Sequence, residues 1–329
     1  MLNTHRFLRW CSPIVWVPAH HRGLGVASCI ILALFVLWLN SGAAEAHTLA
    51  NSQSRIDLAS ALEFVEDPPQ RMTLSDVMAL PSERWTRNHD DVFNAGFSTS
   101  NFWFRLELEA PRTGSKHWLL EISNPLLDHL DIYFLRNTRI VAPILMGDSL
   151  PFGARPIDHR NFLVPVPELE PDERLVVYIR SDTSGTMQLP IVVWQNNAFI
   201  EHEQVSLMWQ CVFYGIMLAM AVVNLFVYFA TRHRSYLFYV GTVMSLVLFQ
   251  ATLHGYGYQM LWPNNQWWQD RSVAFFIACA STFSMYFAIS FLKLRQQRPA
   301  YYYPFAFFAI LGTIGIGFSL MLPYALALR

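Results

Sequence analysis

Two hydrophobic patterns divide the chain. In the first, short apolar bursts alternate with polar positions. The stretch "FWFRLELE" sets Phe102, Phe104, Leu106 and Leu108 against Trp103, Arg105, Glu107 and Glu109, a period of two that predicts a half-buried strand. Runs of the same kind follow at "HWLLEI", "LDIYFL", "NFLVPV", "RLVVYIR" and "LPIVVWQ", separated by Asn-Pro, Gly-Asp, Pro-Asp and Ser-Gly pairs that favour turns. Evenly spaced short strands with little helix between them predict an antiparallel β-sandwich or jelly roll over residues 47–200. One helix is expected near its start, where Thr73 precedes "LSDVMAL" and Asp76 follows three residues later, the spacing of a capping box.

The second pattern begins at residue 206. Ser206 to Ala230 is 25 residues without a charge. Further uncharged stretches run over 236–258, 273–292 and 301–322, each long enough to cross a bilayer as a helix. The whole protein is thus expected to be an all-β domain followed by an α-helical bundle, the latter occupying residues 201–329. Arg232, Arg234, Lys293, Arg295 and Arg298 follow the first and third runs, which sets those ends on the cytoplasmic side and residues 47–205 on the other. Trp209, Trp262, Trp267 and Trp268 fall at the opposite ends, where indole rings settle among headgroups. Residues 1–46 read as a secretory signal. Arg6, Arg9 and Arg22 precede a 14-residue uncharged run, Val26 to Leu39, and Ala44-Glu45-Ala46 supplies a cleavage site, with an uncleaved anchor as the alternative.

Composition sharpens this division. Hydrophobic residues make up 53% of the chain and charged ones 14%, too apolar for a wholly soluble protein. Residues 47–205 hold 22 acidic and 13 basic side chains, whereas the rest holds 2 and 10, so nucleic acid is excluded as a partner of the acidic part. Of four cysteines, Cys11 and Cys29 lie in the signal and Cys211 and Cys279 in apolar runs. The exported region must therefore hold together without a disulfide.

Several blocks, taken in order, resemble one family. "LEFVEDP", "MTLSDVMAL", "NAGFSTSNFWFRLEL" and "HWLLEISNPLLDHLDIYFL" are similar to the first half of the type-2 extracellular domain of the bacterial seven-transmembrane receptors with diverse intracellular signalling modules. "GDSLPFGARPIDHRNFLVPV" and "VVYIRSDTSGTMQLPIVVW" resemble its second half, and "YGIMLAMAVVNLFVYF" and "FLKLRQQRP" its membrane region. The resemblance implies a periplasmic jelly roll akin to carbohydrate-binding modules, set on helices that relay ligand state to a cytoplasmic effector. Only four of seven spans precede Arg329 and no effector is present, so a truncated or split receptor is expected.

"GDSL" at Gly147 to Leu150 matches the nucleophile block of many esterases, yet no Asp-x-x-His pair lies in the exported region to take a proton from Ser149, and Pro151 continues the stretch as a turn. Catalysis by Ser149 remains a remote alternative to a non-enzymatic role. His89, His117, His129, His159 and His202 lack ligand spacing, so neither a metal nor another cofactor is implied, and Glu201-His202-Glu203 reads as a solvated polar face. A ligand surface is the stronger expectation. Trp103 and Arg105, with Tyr178 and Arg180 on "VVYIR", share the outward phase of their strands, and Trp194 joins them with its face left open. Rings of this kind stack on sugars and Arg forks onto hydroxyls or carboxylates. The alternative is that the rings pack while the arginines pair with Glu107 or Asp182. Asn224, Gln250 and His254 stand at membrane depth, as coupling groups or as hydrogen bonds between helices. The reading is an inner-membrane sensor of a small periplasmic ligand, carbohydrate foremost. The alternative is a module that pairs with a separate membrane signalling protein or with a second copy of itself.

Overall fold

The computed structural model describes residues 54–321, apart from 69, 110–116, 137–138, 169–172 and 298. The expected signal at 1–46 lies outside the described residues.

Among the described residues, twelve strands form before the first long helix. A six-stranded sheet runs in the order β3 (Thr86–Arg87), β2 (Glu63–Asp67), β5 (Asn101–Glu109), β10 (Arg174–Asp182), β7 (His129–Arg136) and β8 (Arg139–Met146). A four-stranded sheet runs β1 (Arg55–Asp57), β12 (Ile191–Gln195), β6 (Trp118–Ile122) and β9 (Phe162–Pro165), and β4 (Phe93–Phe97) pairs with β11 (Thr186–Leu189). Neighbours pair antiparallel and the sheets stay open, so the expected sandwich is borne out.

Because successive residues of a strand point to opposite faces, each strand gives every second side chain to the core. From one sheet come Phe102, Phe104 and Leu106 of β5 and Val177 and Ile179 of β10; from the other come Leu120 and Ile122 of β6 and Ile191 and Val193 of β12. These are buried in one cluster. The expected capping box exists: Thr73 Oγ1 accepts from the Asp76 N–H and Asp76 accepts from the Thr73 N–H at 2.8 Å, starting the short helix α1 (Leu74–Met78).

Four long apolar helices follow: α2 (Asn196–Thr231), α3 (Arg234–Leu253), α4 (Gln266–Phe291) and, after the single turn α5 (Leu294–Gln297), α6 (Pro299–Met321). Each is long and apolar enough to cross a membrane. The helix α2 begins at the residue after β12, with no linker, and at 1.5 Å per residue its 36 residues extend about 54 Å. It therefore has length to span a bilayer core of about 30 Å and still reach the sandwich. The helices pack in the order α2, α3, α4, α6. Glycine permits the close approaches: a Cβ on Gly241 would lie 2.9 Å from the Phe283 ring.

The second apolar run was expected to stay helical to 258, but α3 stops at Leu253. Gly255 adopts φ +78°, a left-handed conformation that ends helices, and the chain then makes one π-helical turn over Gly257–Leu261. Asn224 Nδ2 donates to the Met220 carbonyl of its own helix at 2.8 Å, in place of the expected bond to a neighbouring helix.

Candidate functional site

The structure corrects the expected ligand face. Trp103 and Tyr178 do point outward from the six-stranded sheet, but α1 and Trp85 cover them. Trp103 is 1% exposed and Tyr178 7%, and they share a second apolar cluster with Val65, Val77 and Leu135. Alternation fixed the side on which these rings stand and gave no information on what lies over it. The arginines are occupied by partners other than those expected. Arg105 Nε donates to Glu63 Oε2 at 2.9 Å, with its guanidinium 4.7 Å from the Trp85 ring centre, and Arg180 lies 3.6 Å from Asp131. No open surface combines the four residues.

Trp194 sits elsewhere, on the outer face of the four-stranded sheet. There Leu163, Val192 and Trp194 pack against Phe199, in the first turn of α2. Beside this contact lies a cavity of about 260 Å³. Its walls include Arg55 of β1, Glu121 of β6 and Trp194 of β12, together with His202 of α2 and His254 just past α3. The sandwich and the two helices thus line it jointly, and it opens to solvent.

Neutral donors hold Glu121 in place. Asn161 Nδ2 donates to Oε1 at 2.6 Å and Trp194 Nε1 to Oε2 at 2.8 Å, and the carboxylate is 4% exposed. The Trp194 ring is engaged as well: His202 stacks on it at 4.7 Å and Arg55 lies 5.1 Å from its centre. His254 Nδ1, buried at the cavity edge, has no hydrogen-bond partner among the described residues. In the "EHE" segment Glu201 and His202 are exposed, as expected, whereas Glu203 is half-buried. Glu203 accepts from Arg160 Nη2 at 3.0 Å and lies 3.3 Å from His159 Nε2, while Arg160 also donates to Ser206 and lies over Tyr256.

The "GDSLPFGAR" stretch forms a second junction. Phe152 N–H donates to the Pro263 carbonyl at 3.2 Å and Tyr258 Oη to the Leu150 carbonyl at 2.5 Å, so this loop rests on the turn after α3. Ser149 occupies the turn after β8, its N–H donating to the Asp128 carbonyl at 3.3 Å, and no described histidine bonds its hydroxyl. Asp148 beside it is 5% exposed, near Gln269, and its Oδ1 makes no well-formed hydrogen bond to another described residue. Burial pushes the Asp148 carboxyl well above the usual carboxylate range, and the charges of Asp128 and Asp270 add to the shift. Burial lowers the Arg155 guanidinium to about 10 despite the pull of Asp148, and Arg155 Nη1 donates to the His159 and Arg160 carbonyls at 2.9 and 2.8 Å.

Residues 59–195 match the family described as 7TMR-DISM extracellular 2, and residues 206–329 match 7TM diverse intracellular signalling. The chain belongs to the 7TMR-DISM receptors. The two matches join an extracellular-type domain to a 7TM-type region in one 7TMR-DISM chain, and the protein is a membrane protein of a signalling receptor type. The boundary between the matches falls within α2, the element that joins them without a linker. No curated protein matches the chain. Among solved structures, the GH31 alpha-xylosidase from Xanthomonas citri is similar over 44% of this chain and 18% of its own, at 13% identity and a TM-score of 0.19. At that score the likeness carries no argument.

Sequence reasoning missed Arg55, Glu121, Arg160 and Asn161. One signal was available, an acid within the otherwise apolar "WLLEI", but its meaning depends on strand register. Val192 pairs with Glu121 and Leu119 with Trp194, which sets Glu121 and the Trp194 indole on one face.

Proposed function

We propose that this 7TMR-DISM protein is the sensory part of an inner-membrane receptor. In this reading the segment 1–46 directs export, the sandwich lies in the periplasm, and a small polar ligand binds in the cavity between the sandwich and the helices. One observation carries the proposal: the cavity walls come from β1, β6 and β12 on one side and from α2 and the end of α3 on the other. An occupant therefore touches the sandwich and two membrane helices at once. A ligand shifts an equilibrium only by its unequal affinity for two arrangements, and a shared wall is where such a difference arises. The direct joint between β12 and α2 gives the movement a stiff path into the membrane.

The test is hydrogen exchange on the full chain in nanodiscs, with and without fractionated small-molecule extract of the periplasm. Protection is expected to rise together at 119–123, 192–206 and 253–257. Protection confined to the sandwich, or to the covered face around Trp103, would overturn the proposal.

A further inference from the structure

The cavity presents two unlike charges that the protein itself leaves unjoined. Glu121 is held only by the neutral donors Asn161 and Trp194, and among the described residues no cation lies within ion-pairing distance of it. A carboxylate has about four lone-pair sites, so two remain open. A buried carboxylate without a countercharge is costly, and a ligand cation would offset that cost. On the same wall the Arg55 guanidinium lies 5.1 Å from the centre of the Trp194 ring, and its side chain makes no hydrogen bond or ion pair to another described residue. Arg160, in contrast, is committed to Glu203 and Ser206.

Three simpler ligand classes each leave something unmet. A neutral sugar gives Glu121 hydroxyl donors but no positive charge, and on the Trp194 ring it competes with His202 and Arg55, which already engage it. A simple acid satisfies Arg55 yet brings a second negative charge beside Glu121. A simple amine does the reverse. Resting on the cavity as the ligand site, we propose that it receives a small zwitterion, an α-amino acid or an equally compact amino acid. The ammonium group meets Glu121 and the carboxylate meets Arg55. A volume of about 260 Å³ suits a molecule of that size better than an oligosaccharide.

The test is thermal unfolding of the full chain in detergent micelles with four sets of probes: free amino acids, their methyl esters, their N-acetyl derivatives and neutral monosaccharides. A ligand bound only by the native state raises Tm in proportion to its occupancy. Free amino acids should raise Tm, whereas esters and N-acetyl derivatives, each lacking one charge, should half-saturate at roughly tenfold or higher concentration. Arg55→Gln, on an exposed strand, should erase the preference for free acid over ester. Glu121→Gln should erase the preference for free amine over N-acetyl amine; if it does not fold, Arg55→Gln carries the test. Tm shifts from neutral sugars alone, or from none of the four sets, would overturn the ligand class and leave the cavity to its own exchange test. An amino-acid shift unchanged in both variants would move binding away from this cavity and overturn both readings.

Discussion

Trp103→Ala separates a covered core position from a ligand surface. The indole is 1% exposed, lies 6.2 Å from the Tyr133 ring in a stacked arrangement, and packs with Val65, Trp85 and Leu135. Truncating a buried Trp to Ala removes its transfer free energy and leaves a cavity, together about 3–5 kcal/mol. The cost is moderated because Trp103 Nε1 has no hydrogen-bond partner among the described residues, so the substitution strands no described acceptor. The change therefore belongs near the lower end of that range. At 1.4 kcal/mol per factor of ten, 3 kcal/mol accelerates exchange of the slowest amides in β5 and β10 by roughly two powers of ten. Trp103→Phe keeps most of the apolar area and discards the unpartnered N–H, so it should cost about 1 kcal/mol or less. Both variants are measured in the full chain in micelles by hydrogen exchange at residues 101–109 and 174–182. Unchanged exchange in Trp103→Ala, with ligand-dependent protection abolished, would refute the reasoning and restore Trp103 to an open binding face.

Three further outcomes are expected. Gly255→Ala forces a left-handed φ of +78° on a residue with a Cβ and sets that Cβ 2.7 Å from the Arg160 carbonyl; Gly96→Ala, at φ +66° with nothing within 4 Å, bears only the conformational cost of about 1–2 kcal/mol. Exchange at 253–261 should rise in the first variant, and equal destabilisation in both would show that the contact is of no consequence. Asp148→Asn should raise Tm near neutral pH. Burial raises the folded carboxyl pKa, so the folded state keeps a proton that the unfolded chain loses near about 3.9, and this group's contribution falls as pH rises from there through the folded value. The wild-type Tm should therefore decline with pH relative to the variant's, and parallel curves would contradict the assignment. Ser149→Ala should leave stability nearly unchanged and abolish no ester turnover; loss of a measurable acyl-ester hydrolysis in that variant alone would reinstate the enzyme.

The sequence by itself determined the parts of this protein whose physics is local. Alternation in "FWFRLELE" sent Phe102, Phe104 and Leu106 to one side of a strand because successive Cβ atoms point to opposite faces. Thr73 and Asp76 marked the start of α1 because a capping box needs only four consecutive residues. Uncharged runs of twenty or more residues declared the long helices, since a bilayer accepts little else. The tertiary structure decided what covers each face. The phase of Trp103 was readable, but the helix and Trp85 above it depend on how α1 folds back over the sheet. The cavity draws on Arg55, Glu121, Trp194, His202 and His254, brought together by the register of β12 between β1 and β6 and by the docking of two helix ends. Contacts between residues so far apart leave no periodic trace in the chain, because many registers satisfy the same alternation and only packing of the whole selects one.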